Sequence, residues 1–186
     1  SPLKLYDCCP FSDGASSVVL CSEKFAKAHG GDYIEVTGSG RGGSPAALQG
    51  REQMTTIPST KIASEAAYKM AGITAKDVDF AEVHDCFTIA EVVDTEDLGF
   101  FGKGQGIQAI REDRTKLNSD ISINPSGGLK SKGHPIGATG IGQVVEVYDQ
   151  LTGKAGARTV KDAKVGLTHN FGATGASCAV HVFQSV

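Results

Sequence analysis

Several features are scarce or absent in this sequence of 186 residues. It has no Trp, no apolar run near the ~18 residues that identify a membrane span, and no charged-then-apolar start typical of a signal peptide. Positive charge is not in excess, since 18 Lys and Arg stand against 21 Asp and Glu, whereas nucleic-acid-binding domains are usually basic. We therefore predict a cytoplasmic protein that binds neither nucleic acid nor a membrane.

Cysteine usage excludes the disulfide framework of a small secreted domain. The cysteines are five, an odd number without regular spacing: Cys8, Cys9, Cys21, Cys86 and Cys178. We predict a reducing compartment, with Cys21 and Cys178 acting as small buried hydrophobic residues. The chain also begins Ser-Pro-Leu-Lys, without Met, so we expect a fragment, a processed product or a split subunit.

The hydrophobic pattern alternates between helices and strands. Apolar residues at steps of three and four, with caps, predict helices at 22–30, 60–71, 89–99 and 141–153. Strand-like runs lie at 33–37, 78–83, 121–124, 164–169 and 177–183, and the last two are spaced as a hairpin. We predict an α/β layered fold with a mixed sheet and a C-terminal antiparallel pair. The polar, glycine-spotted residues 99–120 are predicted to be irregular and outside the core.

Two glycine-rich stretches resemble nucleotide-binding motifs only in outline. Residues 38–43 fit G-x-G-x-x-G, but Ser44-Pro45 follows where the helix of a dinucleotide site must begin, so we predict a loop. Residues 128–134 have the outline of a P-loop, but His134 stands where Lys is required. We reject both interpretations.

A zinc site could be drawn from four residues, His84, Cys86, Cys178 and His181. However, Cys178 and His181 are three residues apart in a predicted strand, so their side chains point to opposite faces of the sheet. We therefore expect no metal site.

Two other motifs carry candidate chemistry. In the glycine-rich segment 124–140, His134 comes just before the start of a predicted helix, where the helix dipole favours a neutral imidazole. Such an imidazole can accept a proton or hydrogen-bond a developing oxyanion. In His84-Asp85-Cys86-Phe87, at a strand end, His and Cys are spaced to act as acid and base. With His169, three histidines lie at strand ends, which predicts an active site.

These motifs resemble the thiolase superfamily, specifically its sterol carrier protein-like branch. Residues 84–87 are similar to the HDCF loop of that branch, where ordinary thiolases carry NEAF, and residues 133–140 are similar to the GHP loop. Residues 165–170 resemble the stretch where ordinary thiolases carry a CxG cysteine, and residues 13–16 resemble D-G-A-A at the end of the N-terminal half. The resemblance implies that residues 1–31 end the N-terminal thiolase half and that residues 32–186 form the C-terminal thiolase domain.

The resemblance also implies a reaction: thiolysis of a 3-oxoacyl-CoA, or the reverse Claisen condensation, with coenzyme A as substrate and no other cofactor. His134 would stabilise the enolate oxygen, His84 would order a water in the same oxyanion hole, and Cys86 would be the acid/base thiol. A thiol with a pKa of ~8.5 can do this at neutral pH if a neighbour lowers that pKa. Substrate contacts are expected from Phe87, Gly133 and His169, the last at the place of the CxG cysteine.

One part of the family pattern is missing. The nucleophilic cysteine of thiolases belongs to the N-terminal half, and neither Cys8 nor Cys9 has its strand-to-helix setting. We expect another chain, or the rest of the protein, to supply that half, and we expect a homo- or hetero-oligomer. Two alternatives stay open: a thiolase-like retro-aldolase subunit, and a non-catalytic acyl-CoA-binding or scaffolding subunit.

Overall fold

A five-stranded mixed sheet runs through the protein, and the computed structural model describes residues 2–186. In chain order the strands are β1 (Ile34–Gly43), β2 (Phe80–Glu82), β3 (Ser122–Ile123), β4 (Val165–Gly172) and β5 (Ser177–Ser185). Across the sheet they are ordered β1-β5-β4-β2-β3, with β2 parallel to both β3 and β4. The pairs β4–β5 and β1–β5 are antiparallel. The predicted α/β fold, mixed sheet and C-terminal antiparallel pair are confirmed.

Within residues 2–186 the chain forms six α-helices: α1 (Glu23–His29), α2 (Pro58–Ala71), α3 (Thr88–Asp97), α4 (Gly106–Arg111), α5 (Gly128–Lys132) and α6 (Thr139–Leu151). The predicted caps form, since the Ser22 hydroxyl oxygen accepts the N–H of Phe25 at 3.3 Å and Gly72 ends α2 in the left-handed conformation. The four predicted helices are confirmed. Of these described helices, none is long and apolar enough to cross a membrane.

The glycine-rich stretch 38–43 is part of β1 and not the loop that we predicted. A Cβ atom on Gly38, Gly40 or Gly42 would overlap a carbonyl oxygen of α2, at Ala67, Ala63 and Ser59 respectively. Every second strand residue therefore meets every fourth helix residue, because both steps advance the chain by about 6–7 Å. The glycines allow α2 to lie directly on the strand backbone.

The main core lies around the sheet and α2, and residues 99–120 contribute to it. Phe101 and Ala109 are buried in this core, and α4 lies in the same segment. The guanidinium of Arg114 stacks over the Phe101 ring at 5.1 Å from its centroid. The prediction of an irregular excursion outside the core was therefore wrong in part, since apolar residues too widely spaced to show a period still reach the core.

The N-terminal segment differs from its prediction at Cys21, which was expected to be buried. Residues 17–21 lie outside the helices and strands, and Val19 and Leu20 are 90% and 79% exposed. Cys21 is exposed, whereas Cys178 is buried as predicted. Residues 12–21 pair with no strand in the described part of the chain, which leaves their backbone groups available to a partner.

Candidate active site

Two histidines from different parts of the chain meet at the carboxyl end of β2. His84 follows that strand within two residues, and His134 lies in the connection between α5 and α6. Their ring centroids are 5.0 Å apart at an interplanar angle of 82°. His84 is only 5% exposed, while His134 is partly exposed. The structure therefore brings together the His residues of the two predicted motifs.

His134 is held from several sides. Its backbone N–H donates to the carbonyl of Pro10 at 2.9 Å, and the ring of Phe11 stacks on the imidazole at 6.4 Å. Its Nδ1 lies 2.7 Å from the hydroxyl of Thr139, in the first turn of α6. That hydroxyl is also 3.1 Å from the carbonyl oxygen of Pro135, so it can donate to either group. Thr139 thus supports both tautomers of His134, one with a donor Nε2–H and one with an acceptor Nε2.

Burial favours the uncharged form of both imidazoles. Burial, reinforced by His134, lowers the pKa of His84 to about 4. Burial also lowers the pKa of His134, against the opposing effect of the nearby Asp85 carboxylate. The Nδ1 of His84 has no hydrogen-bond partner among residues 2–186. A neutral imidazole pair with a free ring nitrogen can hold the oxygen of a carbonyl, an enolate or a water molecule.

Cys86 lies on the same turn and pairs with the N-terminal segment. The N–H of Cys9 donates to the carbonyl of Cys86 at 2.9 Å, and Cys8 forms an antiparallel bridge with Phe87. Burial raises the pKa of Cys86 to about 12, with further contributions from Cys9 and Asp94. The condition stated for proton transfer by a thiolate at neutral pH, a neighbour that lowers this pKa, is therefore not met. The Cys86 side chain is a thiol at pH 7, suited to donate a proton to a strong base.

Asp85 connects the two histidine motifs, a role that the sequence analysis missed. Its carboxylate accepts the N–H groups of Leu129 at 2.7 Å and Lys130 at 3.3 Å, in the first turn of α5. Gly128 has a φ of 63°, and a Cβ there would overlap the Asp85 carboxylate. The only sequence signal was the position of Asp85 between two candidate residues, which indicated chemistry rather than support.

Two further carboxyl groups from the same part of the chain hold the strand end and loop at 124–132. Glu82 accepts the N–H and hydroxyl of Ser126 at 3.0 and 2.6 Å, and it pairs with the Lys132 ammonium at 3.3 Å. Glu91 accepts the side-chain N–H of Asn124 at 3.2 Å. The conformation of the segment before His134 is therefore set by residues 82–91, because their acidic side chains supply its hydrogen-bond acceptors.

The predicted substrate-binding residues occupy three different positions. Phe87 is exposed beside α3, and Gly133 is buried with a φ of 85°, where a Cβ would overlap the hydroxyl of Ser12. His169 is completely buried behind His84, whose backbone N–H donates to its Nδ1 at 3.5 Å. An open groove of about 440 Å³ lies beside His134, between residues 12–16 and 135–138. Substrate contact by these three residues stays a prediction.

This fold and site define a class of protein. The family described as "Thiolase C-terminal domain-like" matches residues 40–185. The chain therefore belongs to the thiolase family, and the resemblance read from its motifs is confirmed. The predicted boundary between residues 1–31 and 32–186 stays a prediction.

The individual relatives make this placement more specific. An "Acetyl-CoA acetyltransferase" of Methanothermobacter thermautotrophicus is 47% identical over 98% of this chain and 48% of the relative. A protein of the same name from Methanocaldococcus jannaschii is 42% identical over the same shares. "Sterol carrier protein 2" of Homo sapiens is 38% identical over 94% of this chain and 33% of the relative. The chain thus spans about half the length, or less, of these curated relatives.

A solved structure shows the same fold at low sequence identity. A chain of the "Ltp2-ChsH2(DUF35) aldolase" matches 99% of this chain and 48% of its own length, with a TM-score of 0.86. Sequence identity in this match is 20%. At that level the likeness shows a shared fold and says nothing about a shared reaction.

Proposed function

We propose that this chain carries the acid/base and oxyanion-binding part of a thiolase active site. The whole enzyme would cleave 3-oxoacyl-CoA with coenzyme A, or form it from two acyl-CoA molecules by Claisen condensation. The observation that carries this proposal is the 5.0 Å contact between the rings of His84 and His134, with Cys86 on the same turn as His84. Acetyl-CoA acetyltransferases of high similarity support the same assignment.

In the direction of thiolysis, a cysteine thiolate attacks the 3-oxo carbon, and the bond between C2 and C3 breaks. Its electron pair leaves as the enolate of acetyl-CoA, whose oxygen accepts a hydrogen bond from the Nε2–H of His134 and from a water held by His84. The Cys86 thiol then protonates C2. An enolate is a stronger base than a thiolate, so this transfer is favourable even for a thiol of raised pKa.

The remaining steps transfer the acyl group to coenzyme A and return both cysteines to their starting protonation states. The Cys86 thiolate takes the proton of the incoming coenzyme A thiol, and the resulting thiolate attacks the acyl-enzyme. The acyl group leaves as acyl-CoA, and the nucleophilic cysteine is released as a thiolate. Coenzyme A is thus a substrate, and no step of this proposal requires a metal or another cofactor.

The nucleophilic cysteine itself is proposed to come from outside these 186 residues. Burial raises the pKa of Cys9, and Cys8 pairs with Phe87 rather than leading into a helix, so neither is placed as an activated nucleophile. Exposed apolar side chains at Ile136 and Ile141, beside the site, and at Val19 and Leu20 support a second thiolase half as the partner, within an oligomer.

The test uses the full-length protein and acetoacetyl-CoA thiolysis, followed spectrophotometrically. We expect His134→Ala to lower kcat by about 100-fold or more, the usual effect of losing one oxyanion-hole donor. The matched control is His29→Ala, an exposed histidine on α1, which should leave kcat unchanged. Unchanged turnover of His134→Ala would reject the role of His134. A wild-type protein that cleaves an aldol substrate but not acetoacetyl-CoA would instead be a retro-aldolase.

The partner is tested separately by native mass spectrometry of the purified protein. A co-purifying half with a cysteine at a strand-to-helix turn would support the division of the active site. If the 186-residue chain alone catalyses thiolysis at the rate of the complete protein, that division is wrong.

A further inference from the structure

Behind His84 lies a second polar group that the proposed mechanism does not use. It consists of His169 on β4, Asp94 on α3 and Thr60 on α2, and all three side chains are completely buried. The Nδ1 of His169 lies 3.5 Å from the backbone nitrogen of His84 and 3.6 Å from an oxygen of Asp94. Its Nε2 lies 2.9 Å from the hydroxyl oxygen of Thr60.

The hydrogen bonds are consistent with one tautomer of His169. The backbone N–H of His84 can only donate, so the Nδ1 that faces it must be the unprotonated acceptor. The proton of a neutral ring is then on Nε2, which donates to the Thr60 hydroxyl. That hydroxyl lies 3.7 Å from the sulfur of Cys178 and can donate to it. The His84 N–H, the His169 Nε2–H and the Thr60 hydroxyl therefore each meet an acceptor.

An ionised Asp94 would oppose this arrangement. A carboxylate beside Nδ1 would hold a proton on that nitrogen, where it would face the backbone N–H of His84. Neither oxygen of Asp94 accepts a hydrogen bond in the described part of the chain, so the charged form has no support. Burial raises the pKa of Asp94 well above its usual range, aided by the nearby Asp97, Glu91 and Asp85 carboxyl groups and opposed by Lys103.

The imidazole of His169 is uncharged because it is buried as well. Burial, with a further contribution from His84, lowers the pKa of His169 to about 3. Although Asp94 and His169 are close enough for an ion pair, the cost of burying both charges favours a neutral acid beside a neutral imidazole. The ring of Phe171 packs against the rings of both His84 and His169, with centroid distances of 4.6 and 5.8 Å.

We propose that His169 is a positioning residue of the active site: its Nδ1 holds the backbone N–H of His84, and an uncharged Asp94 keeps that nitrogen free to do so. The direction of the His84 ring toward His134 then depends on a side chain that is completely buried behind it. This inference rests on the proposed function, because it assigns His169 to the support of the acyl-transfer site.

A spectroscopic test does not depend on activity. In the full-length protein labelled with ¹⁵N-histidine, the resonances of His169 are assigned by their absence in His169→Asn. We expect an unprotonated Nδ1 and a protonated Nε2 at all pH values from 5 to 8. A proton on Nδ1, in either the neutral or the charged ring, would overturn the proposal even if the enzyme is an active thiolase. The expected tautomer in a protein without thiolase activity would leave this arrangement intact and reject the proposed function.

Kinetics test the positioning role in the same protein. We expect His169→Leu to lower kcat by about 100-fold with little change in KM for acetoacetyl-CoA, the usual cost of a misplaced catalytic group. His169→Asn keeps an acceptor for the His84 N–H and should recover most of that loss. Equal kcat values for the Leu and Asn variants, or a loss confined to KM, would contradict the proposal.

The Asp94→Asn variant tests whether Asp94 and His169 form a neutral pair or an ion pair. An amide has the size of the protonated carboxyl group and carries no charge, so we expect kcat within about threefold of wild type and an unchanged His169 tautomer. A loss as large as that of His169→Leu would show that an ionised Asp94 is required. If His169→Leu does not fold, Asp94→Asn and the tautomer measurement still decide the question.

Discussion

Asp85 accepts the backbone N–H of Leu129 at 2.7 Å, and this contact links the turn that carries His84 and Cys86 to the loop that ends at His134. Burial raises the pKa of the Asp85 carboxyl, while the hydrogen bonds from Leu129 and Lys130 lower it. The carboxylate therefore serves as the N-terminal cap of α5 from a different part of the chain. The relative position of the two histidines depends on a residue that takes no direct part in the proposed chemistry.

The first prediction concerns this cap. Asp85→Asn replaces one carboxylate oxygen by an NH₂ group that cannot accept either backbone N–H. We expect a loss of about 1–3 kcal/mol in the free energy of unfolding, typical of a buried donor left unpaired. We also expect a fall in kcat of about 100-fold as His134 moves away from His84. Urea unfolding and acetoacetyl-CoA thiolysis measure the two effects.

The matched control for the cap is Asp162→Asn. Asp162 is exposed and lies outside both histidine motifs. We therefore expect the free energy of unfolding to change by at most a few tenths of a kcal/mol, and kcat by at most a factor of about two. An Asp85→Asn variant that behaves like this control would show that the cap does not position the site.

The second prediction concerns Gly128, where both backbone and space require glycine. Gly128 has a φ of 63°, and an added Cβ would overlap the Asp85 carboxylate, so Gly128→Ala is strained and displaces the cap. We expect a loss of about 2 kcal/mol or more in unfolding free energy. Gly137→Ala, in the next turn, meets no atom within 4 Å and lacks a positive φ, so it should be neutral or slightly stabilising. Similar unfolding midpoints for the two variants would contradict this account.

The third prediction tests the packing of α2 on β1. A methyl group on Gly40 would overlap the carbonyl oxygen of Ala63, so Gly40→Ala must push the helix from the sheet. We expect a destabilisation of about 2 kcal/mol or more, as for an overpacked core. Gly43→Ala is the control, because its methyl group would lie 3.8 Å from the nearest atom, the carbonyl oxygen of Ala176. Equal thermal midpoints for both variants would show that helix and strand can separate without cost.

The fourth prediction is a pH dependence of stability that arises from Glu91. Burial, reinforced by Asp85, raises the pKa of Glu91 from 4.5 to about 7. Between pH 4.5 and 7 the folded state therefore holds a proton that the unfolded state has released. The contribution of Glu91 to the free energy of unfolding therefore falls as the pH rises from 4.5 to 7, by about 3 kcal/mol in total.

Glu91→Gln removes this dependence and keeps an acceptor oxygen for Asn124. We expect the variant to be more stable than wild type at pH 8 and nearly equal to it at pH 4. The difference between the two proteins is the quantity to measure, because His84, with its pKa of about 4, contributes the opposite slope between pH 4 and 6.5. The control Glu65→Gln lies on an exposed position of α2 and should show no such trend. A constant difference between Glu91→Gln and wild type would refute the prediction.

Local sequence patterns were sufficient to predict many of the helices, strands and site residues of this protein. The helices at 58–71 and 139–151, the glycines that follow them (Gly72 and Gly153) and the final antiparallel strands follow from periodicity and capping, which act over a few residues. The residues of the two histidine motifs were likewise visible as glycine-rich and strand-end clusters. The thiolase family followed from those motifs and is confirmed by residues 40–185.

The errors have one common cause, which is contact between distant parts of the chain. Residues 38–43 have the composition of a loop, but antiparallel pairing with residues 177–182 of β5 makes them a strand. Cys21 lies in an apolar run, but nothing in residues 2–186 covers it. A lowered pKa of Cys86 was the condition for its role at neutral pH, but burial and Cys9 raise that pKa. Burial and neighbouring charge are not properties of a short segment.

The sequence by itself determined the order of the helices and strands, the family, and the side chains available for chemistry, because propensity, capping and motif composition are local. Only the tertiary structure decided how those side chains act together. It placed the rings of His84 and His134 5.0 Å apart, assigned Asp85 to the loop between them, and buried His169 behind them beside Asp94. Distances, hydrogen-bond partners and protonation states arise from burial and from contacts between residues far apart in the chain, which no local pattern encodes.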